Sequence, residues 1–324
     1  MMEGVVVKLT KTRKFWRLRL VAFGVFFMAM AGWALPVVAE PARHEVLVIA
    51  KVSMDPKKHY RYLKPMVDYA AERMKDLGIK EGRVLMAKDN AQMIQFIRQG
   101  RVDWVTEPTF SAVLFEEATG AEFLLDKWKK GVPVYHSVFL TRKGSGIRTL
   151  NDLVGKVIAF EDPGSTSSYF VPSYLLLRAG HKMVELGSVR ERPPADAIGY
   201  VFAGQEINVA MWTYKGLVDA GALSNLDMED DDDVPLSIRE QLDIFHRSAN
   251  FLRSVEMVRA DLPVPLKKRL REILLASDKD PAAVEVLRAY EKTVKFEEFD
   301  KKDIESIKEV REIIRYMKKR GMAP

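Results

Sequence analysis

Cysteine is absent from the 324 residues. That excludes disulfides, thiolate metal sites and a lipid anchor on a modified cysteine. The chain must be held by its core alone, and 48% hydrophobic residues over this length supply one. Histidine is scarce too. His44, His59, His136, His181 and His246 show no metal-ligand spacing, so no metal and no other cofactor is expected. No internal repeat at solenoid spacing is present. The acidic run Met228–Asp233 lacks the glycine and distal glutamate of an EF-hand loop and reads as a solvated loop.

A basic balance is present, but in one place. The chain carries a formal +6, and residues 1–39 hold six basic side chains against the single acid Glu3. The remainder is close to neutral, which removes the electrostatic case for a nucleic-acid partner. Lys8, Lys11, Arg13, Lys14, Arg17 and Arg19 form a basic leader, an uncharged run follows over 20–39, and Val37-Val38-Ala39 offers small residues before Glu40. This grammar predicts a secretory signal over 1–39, with release into the periplasm or extracellular space after cleavage. The run is also long enough to serve as a membrane anchor.

From residue 45 the chain alternates strands and helices. Strands are expected over 45–52, 83–87 and 102–106, with helices over 61–77, 90–99 (Asn90 as cap) and 109–118 (Thr109 as a possible cap). That alternation implies an α/β fold with a doubly wound sheet. A strand over 134–142 precedes a Gly-rich interruption at 143–146, and the grammar restarts. The second round has strands at 157–161, 183–189 and 207–212, with helices at 166–179, 196–203 and 214–220. After a return strand over 251–258, three helices close the chain at 265–276, 281–290 and 302–319. The reading is two lobes, 40–142 plus about 247–324 and 143–246, joined by two crossings with a cleft between them.

The most informative stretch is Lys156–Pro172, KVIAFEDPGSTSSYFVP. A strand ends, Asp162-Pro163-Gly164 turns the chain, and Ser165, Thr166, Ser167 and Ser168 open a helix. A helix N-terminus carries unpaired N–H groups and partial positive charge, and hydroxyls add donors, so the segment can hold an anion without lysine or arginine. Neither a G-x-S-x-G elbow nor an S-x-x-K motif surrounds Ser165 or Ser167, so binding is expected here and an enzyme is not. Gly144-Ser145-Gly146 lacks the G-K-[ST] ending of a P-loop.

This segment resembles the D-P-x-S-T-S-G-Y-x-x-P signature of the periplasmic phosphonate-binding proteins of ABC transporters. LKPMVDYAAERM (63–74) and AQMIQFIRQGRVDWVTEPTFSAV (91–113) extend the likeness. The resemblance implies an α/β, two-lobed type II periplasmic-binding-protein fold, each lobe a doubly wound sheet. It implies capture of a small oxyanion of the phosphonate, phosphite or phosphate type between the lobes, and delivery to an ABC transporter permease. A membrane-tethered or periplasmic sensor of the same fold, with a different small ligand, is the alternative. By the same resemblance Ser165, Thr166 and Ser167 hold the anion, with Ser168 in place of the usual glycine. Thr109 and Phe110, after Pro108, face it from the first lobe, and Tyr135 matches a tyrosine of the hinge strand. Family members usually have a histidine and then a strand-end acid in the region matching 192–214. Those positions fall here on Pro193 or Pro194 and near Trp212 or Thr213; of Trp104, Trp128 and Trp212, which either line a cleft or fill a core, Trp212 at its expected strand end is the candidate to face the ligand.

Overall fold

The computed structural model describes residues 44–53 and 55–320, so the expected signal segment lies outside the described residues. In chain order the elements are β1 (Val46–Val52), α1 (Pro56–Glu72), β2 (Glu81–Ala87), α2 (Asn90–Arg98), β3 (Trp104–Glu107), α3 (Thr109–Thr119), β4 (Glu122–Lys127), β5 (Val134–Tyr135), β6 (Ser137–Arg142) and β7 (Val157–Phe160). Then come α4 (Val171–Arg178), β8 (Lys182–Glu185), β9 (Ala197–Phe202), α5 (Glu206–Lys215), β10 (Ala220–Ser224), α6 (Asn225–Glu229), α7 (Leu236–Arg239) and β11 (Leu242–Arg247). The chain closes with β12 (Phe251–Leu252), β13 (Val255–Val258), α8 (Val264–Ala276), α9 (Val284–Ala289), β14 (Phe296–Glu297) and α10 (Lys301–Lys318).

Local chemistry sets the helix ends. The Asp55 carboxylate accepts the Lys58 N–H at 3.0 Å and Pro56 occupies the first turn, so α1 begins five residues before the expected start. Asp89, not Asn90, caps α2, accepting the Gln92 N–H at 2.7 Å. Leu63, Met66, Val67 and Ala70 form the buried stripe of α1, as their spacing predicts.

Two six-stranded sheets organise the two lobes, in the orders β14-β4-β13-β3-β1-β2 and β11-β6-β10-β7-β9-β8. Both are mixed. The cores β2-β1-β3 and β8-β9-β7-β10 are parallel, while β13 and β6 run antiparallel to their neighbours. A two-stranded ribbon, β5 with β12, pairs Tyr135 with Phe251 and Val134 with Leu252 at the crossings. Strand β6, expected at the end of the first lobe, joins the second sheet. Strand β6 is hydrogen-bonded to β10 and β11 in the second sheet, and the chain crosses over 128–136 and returns over 248–254.

The stretch 196–220 is a second correction. The expected helix, strand and short helix are instead strand β9, helix α5 and strand β10. AIGYVF pairs with β7 on one side and β8 on the other and is almost wholly buried, which suits a central parallel strand. The helix α5 is ended by Gly216 at φ 70°.

The core is continuous through the interface between the lobes. Phe110 and Phe115 of the first lobe belong to one apolar cluster with Phe139, Phe160 and Phe170 of the second. The C-terminal helix α10 touches both lobes. Arg311 makes a forked pair with Glu116 of α3 at 2.8–2.9 Å, and Tyr316 donates to the Leu177 carbonyl of α4 at 3.2 Å.

Candidate functional site

The hydroxyl run sits where β7 ends, at the carboxyl edge of the second sheet, the edge where open α/β sheets present ligand sites. Gly164 lets the turn pass close to the other lobe. A Cβ there would meet Asp162 Oδ1 at 3.1 Å and Asn90 Nδ2, from α2, at 4.0 Å. Ser165 caps the helix, its Oγ accepting the Ser168 N–H at 3.1 Å. The first turn, Thr166–Phe170, is π-wound and runs straight into α4. The N–H groups of Thr166 and Ser167 consequently have no intrahelical acceptor.

The four hydroxyls divide into two kinds. Ser168 Oγ is committed to the scaffold, donating to the Ala222 carbonyl at 2.5 Å and accepting the Glu161 N–H at 2.7 Å. Ser165 is the cap. Thr166 is 1% exposed and its Oγ1 makes no hydrogen bond, while Ser167 is buried beside it. Both hydroxyls face the phenol of Tyr135 on the hinge ribbon. A buried hydroxyl without a partner is costly in a native fold and marks a place where another group belongs. Burial pushes the Tyr135 phenol up to about 12, with nearby Arg253 and the two hydroxyls opposing, so Tyr135 enters the site as a neutral donor.

The first lobe brings a buried charge network to the same place. Glu291, in the left-handed region at φ 56°, receives Lys127 at 2.7 Å and Lys129 at 2.9 Å, with Lys51 at 3.8 Å. Burial opposes its charge, but Lys127, Lys129 and Lys51 outweigh that and hold Glu291 well below the usual carboxylate range. Lys51, at the end of β1, also lies 3.8 Å from Glu107, which accepts the Val52 N–H. Burial disfavours the Lys51 ammonium, and the carboxylates of Glu107, Glu291 and Glu256 more than compensate. Burial lowers Lys129 to about 8. Burial likewise raises Glu256 to about 7, against the pull of Lys127 and hydrogen bonds from Trp104, Tyr290 and Thr106.

The second lobe adds carboxylates. Burial raises Glu161 well above the carboxylate range, with Glu206, Asp162 and Asp227 adding to it. Glu206 follows β9 and Asp227 follows β10. A strand over 207–212 places the strand-end position near Trp212, but the structure has helix α5 there. With the strands ending at Phe202 and Ser224, acids do follow the strand ends.

Thr109, Phe110 and Trp212 each have partners within the protein. Thr109 is fully buried and donates to the Leu252 carbonyl at 2.8 Å, tying α3 to the hinge ribbon. Phe110 stacks on Phe170 across the interface, ring centroids 3.5 Å apart and planes within 7°. Trp212 does not face the cleft. It packs with Val209 and Val218 in the cluster on the opposite face of the second sheet from Phe160 and Phe170.

The comparisons agree with this geometry. The family profile described as "ABC transporter, phosphonate, periplasmic substrate-binding protein" matches residues 52–304. The phosphonates-binding periplasmic protein of Escherichia coli is 35% identical over 118 residues, 35% of this chain and 35% of its own length. The phosphate-import protein PhnD of Mycolicibacterium smegmatis is 32% identical over 142 residues, 42% and 43% of the two chains. The alignments thus span less than half the length of these curated relatives. XAC2383 from Xanthomonas citri, solved with bound chloride, superposes with a TM-score of 0.82 at 36% identity, over 85% of this chain and 99% of that one. It has also been solved with ATP. More distant phosphonate-transport binding proteins share the two-lobed type II fold. The chain belongs to the family of periplasmic substrate-binding proteins of phosphonate ABC transporters.

Proposed function

We propose that the chain is an extracytoplasmic solute-binding protein that closes its lobes around a small phosphorus oxyanion and hands it to an ABC transporter permease. The observation that carries this reading is the buried, unpartnered Thr166 hydroxyl beside Ser167 at a helix N-terminus, facing the neutral Tyr135 phenol. The Thr166 Oγ1 is buried without a hydrogen-bond partner in good geometry, and with Ser167 and Tyr135 it forms a cluster of hydroxyls that an oxyanion completes. Ser165 shapes the turn, Ser168 and Thr109 brace the site, and the stacked Phe110 and Phe170 close its apolar side. The segments 128–136 and 248–254 serve as the hinge, and ligand favours closure only by binding the closed state better than the open one.

The relatives bind phosphonate or phosphate by name, and XAC2383 has been solved with chloride and with ATP, all of them anions. Glu161, kept protonated by burial, together with Glu206 and Asp227 gives the second lobe polar groups for a cationic or hydroxyl group on the ligand. Membership of a transporter family supports delivery over sensing, and export to the periplasm follows from the same role.

A thermal-shift screen of the protein from Glu40 onward against phosphate, phosphite, methylphosphonate, 2-aminoethylphosphonate, sulfate and ATP tests the reading. A ligand at a hundredfold excess over its dissociation constant stabilises the native state by about 2.7 kcal/mol. A clear rise in Tm with a phosphorus oxyanion and none with sulfate is expected. No shift with any of the phosphorus compounds refutes the assignment.

A further inference from the structure

Arg253 is a cation of this region to which the fold gives no ion-pair partner among the described residues. It follows β12 at the return crossing, is 6% exposed, and its Nε is buried without a hydrogen-bond partner. Among the described residues its guanidinium makes no ion pair, whereas Lys51, Lys127 and Lys129 share Glu107, Glu256 and Glu291. Asp227 is near enough to feel its charge but lies beyond ion-pair distance, with its carboxylate accepting Ser224 Oγ at 2.5 Å. An arginine cannot shed its proton to relieve burial as a lysine can, so a largely buried guanidinium with no ion pair keeps a desolvation cost that the nearby Tyr135 ring offsets only in part.

The position of that charge is specific. The Arg253 guanidinium carbon lies 5.3 Å from the centroid of the Tyr135 ring, on the face of the residue whose phenol meets Thr166 and Ser167. The backbone N–H of Arg253 is held by the Pro133 carbonyl at 2.8 Å, so Arg253 and Tyr135 are fixed to one another across the hinge ribbon. Two buried polar groups without partners, the Thr166 hydroxyl and the Arg253 Nε, therefore flank one tyrosine.

From this geometry we infer that Arg253 is a ligand-binding residue, supplying the counter-charge for an oxyanion held by Thr166, Ser167 and Tyr135 and favouring ions that carry two negative charges. The inference rests on the anion site proposed above and adds a residue and a charge preference to it. The hydroxyls and N–H groups read shape, and the guanidinium reads charge. Because Arg253 sits on the hinge ribbon, its pairing with the ligand is made where the lobes turn.

Calorimetry at about pH 8 with phosphate and phosphite as dianions and hypophosphite as a monoanion, on the wild type, Arg253→Gln, Arg253→Lys and Thr166→Ala/Ser167→Ala, tests this. Wild type binds at least one dianion more tightly than hypophosphite. Arg253→Gln weakens that dianion by about tenfold to a hundredfold, the range for a charge-assisted hydrogen bond, and narrows its advantage over hypophosphite. Arg253→Lys recovers part of the loss. The ligand-free Tm of Arg253→Gln stays level or rises, since an unpaired buried charge has been removed, whereas a purely structural arginine would lower it. Wild-type affinity in Arg253→Gln, with binding lost in the hydroxyl double variant, overturns the role of Arg253 and leaves the anion site standing. Unchanged affinity in both variants, or a wild type that binds none of the three ions, overturns both.

Discussion

On the first-lobe side of the cleft, Lys51, Lys127 and Lys129 are matched to Glu107, Glu256 and Glu291, every one of these side chains buried or half-buried. On the second-lobe side the polar groups nearest Tyr135 are neutral hydroxyls on a helix N-terminus, one of them without a partner. The first arrangement satisfies itself. Its charges cost desolvation and recover it from one another, so it can hold a shape but has little left to offer a ligand. The second is incomplete by construction, and incompleteness is what a binding site needs. Charge marks the more conspicuous cluster, while the unpaired donors mark the more reactive one.

The sharpest way to break that comparison is to strip the hydroxyls. Thr166→Ala with Ser167→Ala is expected to weaken oxyanion binding by about 3–6 kcal/mol, taking 1.5–3 for each hydrogen bond to a charged group, with the fold intact. Calorimetry on a ligand from the screen checks it, and unchanged affinity removes these residues from the site. Breaking the self-satisfied cluster should instead cost stability. Lys127, fully buried, leaves Glu291 and Glu256 poorly paired when changed to methionine, and a loss of about 3–5 kcal/mol in denaturant unfolding is expected.

Asp126 offers a test by pH. Burial raises it to about 7, with Asp303 and Glu297 adding repulsion, and its Oδ1 has no partner. The folded state holds this proton more tightly than the unfolded chain, which releases it near the ordinary value of 3.8. Its contribution to stability is therefore full below about pH 4 and is lost as the pH rises through about 7. Asp126→Asn should raise stability by roughly 1–4 kcal/mol at pH 8 and change little at pH 4. Equal effects at both values contradict this. The smallest expected effect is at Trp212. Its place on the far face of the second sheet predicts that Trp212→Phe changes ligand affinity by less than about twofold while costing about 1 kcal/mol of stability.

Where one residue's chemistry fixes the local geometry, the sequence was readable. The strand into Asp162-Pro163-Gly164, the helix opened by the hydroxyl run and the buried face of α1 all lie where their patterns put them. Where two readings of a short apolar run compete, it was not. AIGYVF and INVAMW carry similar apolar content, and each is short enough to pass as helix or strand. What separates them is tertiary. AIGYVF has β7 on one side and β8 on the other, and Gly199 lets Leu186 and Pro193 approach, where a Cβ would meet Leu186 at 2.6 Å. The shift of phase places Glu206 and Asp227 just after strand ends and puts Trp212 on helix α5, packed against the second sheet.

The sequence by itself determined that the chain is an α/β protein without disulfides, with an anion-competent turn after one strand and near-neutral charge beyond its first residues. Those properties follow from composition, from periodicity and from contiguous residues acting on their own backbone. Only the tertiary structure decided which of four neighbouring hydroxyls are bonded into the scaffold and which are not, that β6 belongs to the second sheet, and that Arg253 lies beside Tyr135. Each of these depends on partners distant in sequence: Ala222 for Ser168, Gln241 for the end of β6, and the hinge ribbon for Arg253. Burial and pairing across such separations are properties of the packed fold and leave no local pattern in the chain.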